Sequence, residues 1–147
     1  MLYALLSGPE KSLPTLAMGH VDVRDVAAAM VAGIKVIGNH RLLLTGEWFD
    51  WADAVKLIAI TRPELVPRLL TIRPTDQDRP IIDSKKALET LGITLTPWQK
   101  TIDDGIDALL KLEKDWTERG ADLTGLKNNE WFTVAESMSN TRVEFVD

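Results

Sequence analysis

The chain has 147 residues, 45% hydrophobic and 27% charged, a balance that fits one soluble domain large enough to bury a core. A net charge of -5, with no run of Lys or Arg, argues against nucleic acid as a partner, because phosphate binding needs clustered basic residues. There is no cysteine, hence no disulfide, thiol nucleophile or thiolate-held metal. The longest apolar stretches fall short of the ~20 residues that cross a bilayer. The opening MLYALLSG has no basic start, so no signal peptide is expected and the cytoplasm is the expected compartment.

Taken in chain order, MLYALLSG fits either a helical turn closed by Gly8 or a strand. PEKSLPTLAMG, with two prolines, reads as loop. HVDVR alternates, which predicts a strand with Val21 and Val23 on one face and His20, Asp22 and Arg24 on the other. Asp25 then stands as the N-cap of a small-residue helix, VAAAMVAGIKVI. RLLLTG predicts a second, central strand, and the strand–helix–strand order predicts parallel pairing with a right-handed crossover.

Further on, Asp50 caps a helix at DWAD with Asp53 in its first turn, and Pro63 ends that helix before Arg62. PELVPRLL suits one or two helical turns, TIRPTDQDRP an irregular connection, and DSKKALETLG a short helix with a glycine stop. The clearest helix is TPWQKTIDDGIDALLKLEKDW, with Thr96 as cap, Pro97 at the first position and Gln99 completing a capping box. Ile102, Ile106, Leu109, Leu112 and Trp116 form one apolar stripe along it, and Gly105 implies a close neighbour. NEWFTVAE and TRVEFV predict a β-hairpin tail. The fold class read from this order is α/β: a partial Rossmann-like parallel sheet with helices, a C-terminal helical segment and a hairpin tail. Residues 1–120 form the domain and 121–147 an extension that adds strands to the sheet or to a dimer.

Three segments carry a resemblance: HVDVRDVAAAMVAGI, RLLLTGEWFDWADAVKLI, and DSKKALETLGI followed by TPWQKTIDDGIDALLKL. Together they resemble the C-terminal part of extended short-chain dehydrogenases/reductases, in the branch of dihydroflavonol reductases, cinnamoyl-CoA reductases and fungal aldehyde/ketone reductases. The resemblance covers roughly residues 1–115 and implies a helix for Leu2 to Leu6. It also implies a substrate side that takes small carbonyl compounds. Such enzymes bind NAD(P) through a Gly-rich turn at a helix N-terminus, and no G-x-x-G-x-x-G occurs here. Their catalytic Tyr and Lys lie four residues apart, whereas the sole tyrosine, Tyr3, has Ser7 at that distance. No cofactor-binding residue can be assigned.

Candidate catalytic residues are His20 and Asp22, a titratable ring and a carboxylate on one predicted face, with Arg24 beside them. The family usually has an aromatic or aliphatic residue where His20 stands. A solvated or partner-facing strand end is the competing reading, and Asp25 reads as a cap rather than a base. Trp48 and Trp51, with Phe49, are candidates for substrate binding, against a role in the core or a dimer seam. Arg73 and Arg79 could clamp an anion from their loop, or merely be solvated there. Asp103 and Asp104 read as a solvated helical turn, His40 as a loop residue, and Trp98 and Trp116 as packing residues. Two isolated histidines give no metal site.

The expected function is that of a small-molecule-binding domain derived from an NAD(P)-dependent carbonyl reductase. It is not competent for hydride transfer alone, carries no cofactor, and is a candidate cofactor-independent cyclase or isomerase of secondary metabolism. The alternatives are a substrate-binding half that needs the missing half, or a non-catalytic scaffold. A small apolar or carbonyl-type ligand and a homodimer are the expected partners.

Overall fold

The computed structural model describes residues 2–6, 8, 12–14, 17–73 and 82–123. Among the described residues four helices dominate: α1 (Val23–Gly33), α2 (Trp51–Thr61), α3 (Lys85–Leu91) and α4 (Trp98–Glu118). Two 3-10 segments, Leu2–Leu6 and Pro63–Arg68, accompany them. The strands are three residues each: β1 (Ser12–Pro14), β2 (Ala17–Gly19), β3 (Trp48–Asp50) and β4 (Thr71–Arg73).

The sheet differs from the expectation. β1 pairs in parallel with β4, Leu13 opposite Ile72, while β2 pairs antiparallel with β3, Met18 opposite Phe49. Strand therefore lies in the two stretches that read as loop. The predicted strand HVDVR is instead the lead-in and first turn of α1, and RLLLTG has no strand assignment, with Leu43 exposed. The parallel unit expected around α1 is thus replaced by an antiparallel ribbon. Alternation over five residues carries little period information, and a local cap overrides it. The predicted hairpin tail and the 121–147 extension lie outside the described residues from position 124 onward.

Helix boundaries followed local chemistry more closely. Asp50 caps α2, its carboxylate accepting from the Asp53 amide at 2.9 Å, and α2 ends at Thr61 before Pro63. Gly92 closes α3 in the left-handed conformation, φ 64°. For α4 the expected capping box does not form: Pro97 is the cap, without a side-chain bond, and Thr96 is engaged elsewhere.

The core lies between the Leu2–Leu6 turn, α2, the Pro63–Arg68 turn and α4. Leu5, Ile58 and Ile106 are its largest fully buried side chains. A Cβ on Gly105 would sit 2.6 Å from the Leu2 side chain, so the glycine lets the first turn approach α4. Arg62 closes the other side. It is mostly buried, and its guanidinium pairs with both Asp103 and Asp107 on α4, the Asp107 contact at 2.7 Å. Burial works against its charge, but these bonds outweigh it and raise its pKa. Asp103 and Asp104 are therefore cross-element ion-pair partners, not the solvated turn the sequence suggested.

α1 stands apart from this core. It touches α3, and its own N-terminus meets α4 and the residues leading into it. One side keeps apolar residues in solvent: Ile34 is 84% exposed, and Val23, Met30 and Val31 lie open as well.

Candidate functional site

The start of α1 gathers the charged candidates. Asp22 is its N-cap, extended at φ -69° and ψ 139°, and is almost fully buried. Its carboxylate accepts from the Arg24 amide at 2.9 Å, from Arg24 Nε at 2.8 Å and Nη2 at 2.7 Å, and from the Thr101 hydroxyl at 2.8 Å. The Arg24 guanidinium holds the Asp22 carboxyl well below the usual carboxylate range, against the opposing effect of burial. Arg24 in turn donates to Asp104 at 2.6 Å, and Lys100 joins the same carboxylate at 3.1 Å. The Asp104 carboxyl is lowered by Arg24 first and Lys100 second.

Asp25 is not the cap that the sequence suggested. Its carboxylate accepts the Thr96 amide at 2.7 Å and the Thr96 hydroxyl at 2.9 Å, tying α1 to the lead-in of α4. All these groups have fixed partners, so the cluster works as a clamp between α1 and α4.

His20 sits at a different place. Its Nδ1 lies 2.7 Å from the Glu47 carbonyl oxygen, an acceptor, so Nδ1 carries the proton and donates. Nε2 is buried and has no partner among the described residues. Among the described residues no hydrogen bond joins His20 to Asp22, so the predicted acid–base pair does not form. The imidazole edge meets Phe49 at 5.5 Å and 77°. A Cβ on Gly46 would lie 2.9 Å from His20 Cε1, so the histidine is held closely by the 45–50 segment. A His20→Phe variant should fold with stability within about 1 kcal/mol of the parent. Loss of one bond is offset by removal of an unpaired polar atom. Thermal unfolding measures this, and a fall of several kcal/mol would give His20 a larger structural role.

Within the aromatic patch, Phe49 and Trp51 belong to the core. Phe49 stacks on Trp98 at 5.0 Å and 11°, and meets Trp51 edge-on at 5.5 Å. Phe49 and Trp51 are buried, and Trp48 is half-buried with its ring against Gly19. The substrate-binding roles expected of Trp48 and Trp51 are a separate matter from this packing, and neither residue lines the hollow described below. The Arg73 side chain and all of Arg79 lie outside the described residues.

A second cluster escaped the sequence reading. Glu113 on α4 takes a two-pronged pair from Arg68, with Nη2 at 2.9 Å from Oε1 and Nη1 at 3.1 Å from Oε2. The Tyr3 hydroxyl donates to Glu113 Oε1 at 3.1 Å. Burial raises the Tyr3 pKa first, and the Glu113 carboxylate raises it further. Beside this triad lies an apolar hollow of about 200 Å³, lined by Tyr3, Leu109, Leu112, Glu113, Trp116 and Leu123. One signal was available in the sequence. Glu113 falls four residues after Leu109, so it puts a carboxylate on the apolar stripe of α4.

Among the described residues no group of three or more His, Asp or Glu could hold a metal ion. None of the helices described is long and apolar enough to cross a membrane.

These parts define a partial Rossmann-like α/β body in which Asp22, Asp25, Arg62 and Arg68 tie separate elements together. No protein-family model matches the chain. Among curated proteins it matches the NADPH-dependent methylglyoxal reductase GRE2 of Saccharomyces cerevisiae, 29% identical over 113 residues, covering 71% of this chain and 33% of that protein. Among solved structures it matches yeast methylglyoxal/isovaleraldehyde reductase Gre2 complexed with NADPH, TM-score 0.65 and 24% identity, over 78% of this chain and 40% of that one. Gre2 of Candida albicans with NADPH gives a TM-score of 0.63 and 24% identity, over 75% of this chain and 35% of that one. The chain is homologous over this stretch to part of the extended short-chain dehydrogenases/reductases, as its motifs suggested. It spans 33% of the length of the curated relative it matches.

Proposed function

We propose that this chain is a small-molecule-binding domain derived from an NADPH-dependent carbonyl reductase, and that alone it does not transfer hydride. The reading is supported by the homology to Gre2 together with the state of the polar residues. The only tyrosine is hydrogen-bonded to Glu113, and Asp22 is saturated by Arg24 and Thr101. The ligand class follows the relatives, whose names give methylglyoxal and isovaleraldehyde, both small carbonyl compounds. A cofactor-independent isomerase on this scaffold would have to work through His20 Nε2, the one buried polar side-chain atom described without a partner. The chain is proposed to act in the cytoplasm.

One observation favours a second reading, in which the chain is the substrate-binding half of a reductase that acts with a nucleotide-binding partner. The open apolar side of α1, with Met30, Val31 and Ile34, suits burial against another body. A homodimer through this surface is the competing arrangement.

The test is NADPH titration by calorimetry on the purified chain, with its mass read by light scattering in the same preparation. The expected result is no NADPH binding and no NADPH oxidation with isovaleraldehyde. Micromolar binding would overturn the first reading and place a nucleotide site within the chain or its dimer.

A further inference from the structure

We infer that the open side of α1 is a contact surface for a second copy of the chain, with the two α1 helices packed antiparallel. Such a pairing holds whatever ligand the chain takes. It rests on the two unlike faces of α1. Asp25, Val26, Ala29 and Ala32 recur at helical spacing and are buried or half-buried. Val23, Ala27, Met30, Val31 and Ile34 recur at the same spacing on the other side. The four large ones are between 63% and 84% exposed. Together they make an uncharged apolar stripe of the kind a helix normally turns toward a core. Arg24 and Lys35 lie along one edge of it.

The stripe matches itself. When two copies of α1 lie antiparallel, Val23 of one meets Ile34 of the other. Ala27, the small residue of the stripe, then receives Met30 and Val31. Large side chains entering the gap beside a small one let two helices approach to about 8–10 Å. The ends match as well, because antiparallel packing sets opposite ends of the helix dipoles together. Lys35 of each copy comes to the N-terminal end of the facing helix. There Asp22, Arg24, Lys100 and Asp104 balance in charge, and the Asp104 carboxylate is 39% exposed. Lys35 therefore meets an available carboxylate and no unpaired cation.

The area sets the strength. A pair of these stripes buries on the order of 1,000 Å², the lower limit for a specific interface. That size fits a weak dimer, with Kd on the order of tens of micromolar, and below this range the chain is a monomer with α1 open. A membrane surface is a poorer occupant. The stripe has no aromatic residue, and the chain's net charge of -5 opposes an anionic bilayer.

Sedimentation velocity on the full chain, from about 1 to 300 µM, should show the mass rising from one chain to two. Ile34→Glu, and separately Met30→Glu, should each raise the midpoint concentration at least about tenfold, because each buries a charge at the centre of the contact. Both sites are exposed in the single chain, so helical circular dichroism should stay unchanged. Ile60→Glu, at an 80% exposed position on α2, should leave the midpoint where it is. A chain that stays monomeric at the highest concentration would overturn the proposal and leave the face to a different body. Dimerisation that persists in both α1 variants, or that Ile60→Glu weakens equally, would overturn it by placing the contact elsewhere.

Discussion

Asp22→Ala should destabilise the domain by about 3 kcal/mol, read by denaturant unfolding. The variant loses the N-cap of α1 and leaves the Thr101 hydroxyl and Arg24 Nε and Nη2 without their acceptor, while Nη1 keeps Asp104. Arg24 is itself half exposed, so water screens part of the loss, and the figure stays below that for a fully buried pair. The same residue predicts a direction in pH. Its folded-state pKa is depressed by Arg24. Its contribution is therefore complete above about pH 4, where the carboxyl is ionised in the unfolded chain too, and it declines as the pH falls through the folded value. Asp22→Asn keeps a capping side chain but removes the charge, so it should flatten this acid limb of the stability curve. An unchanged acid limb in Asp22→Asn would show that Asp22 is not what the pH dependence reports. A role as catalytic base would instead predict intact stability and lost turnover.

Ile106→Ala should cost about 3–4 kcal/mol, with a Tm fall of roughly 10 °C. Ile106 is fully buried where α4 meets the Leu2–Leu6 turn and α2, so truncation leaves a cavity that rigid helices cannot fill. Ile34→Ala, on the exposed side of α1, should stay within about 0.5 kcal/mol. The contrast identifies which helix carries the fold and which presents a surface. Similar losses at both positions would mean that α1 is covered in solution, and the apparent stability should then rise with protein concentration.

The legibility of the sequence varied with the range of the interactions. Asp50, Pro63 and Gly92 marked helix ends correctly, because caps and stops act within one turn. At α1 the same logic chose the wrong aspartate. Asp22 and Asp25 are both competent caps, and Thr101, 79 positions from Asp22, and Thr96, 71 positions from Asp25, decided between them. The expected pairing of His20 with Asp22 was lost for the same reason. His20 and Asp22 are adjacent in a pattern of period two, but that strand did not form, and each side chain found a different partner. Glu113 was passed over because its partners, Arg68 and Tyr3, lie 45 and 110 positions away.

By itself the sequence determined the homology to extended reductases, the helix ends set by local caps and prolines, the apolar stripe of α4 and the close approach at Gly105. It also established that the chain carries no Gly-rich nucleotide turn and no Tyr–Lys pair. Each of these depends on residues a few positions apart, or on motifs whose order survives in the chain. The tertiary structure alone decided that the ribbon at β2 and β3 is antiparallel, that Asp22 and Asp25 clamp α1 to α4, and that Trp51 and Phe49 are core. It also revealed the hollow beside Tyr3. Strand pairing, ion pairs and burial are set by groups far apart in the chain, and a local pattern cannot say which distant partner will arrive.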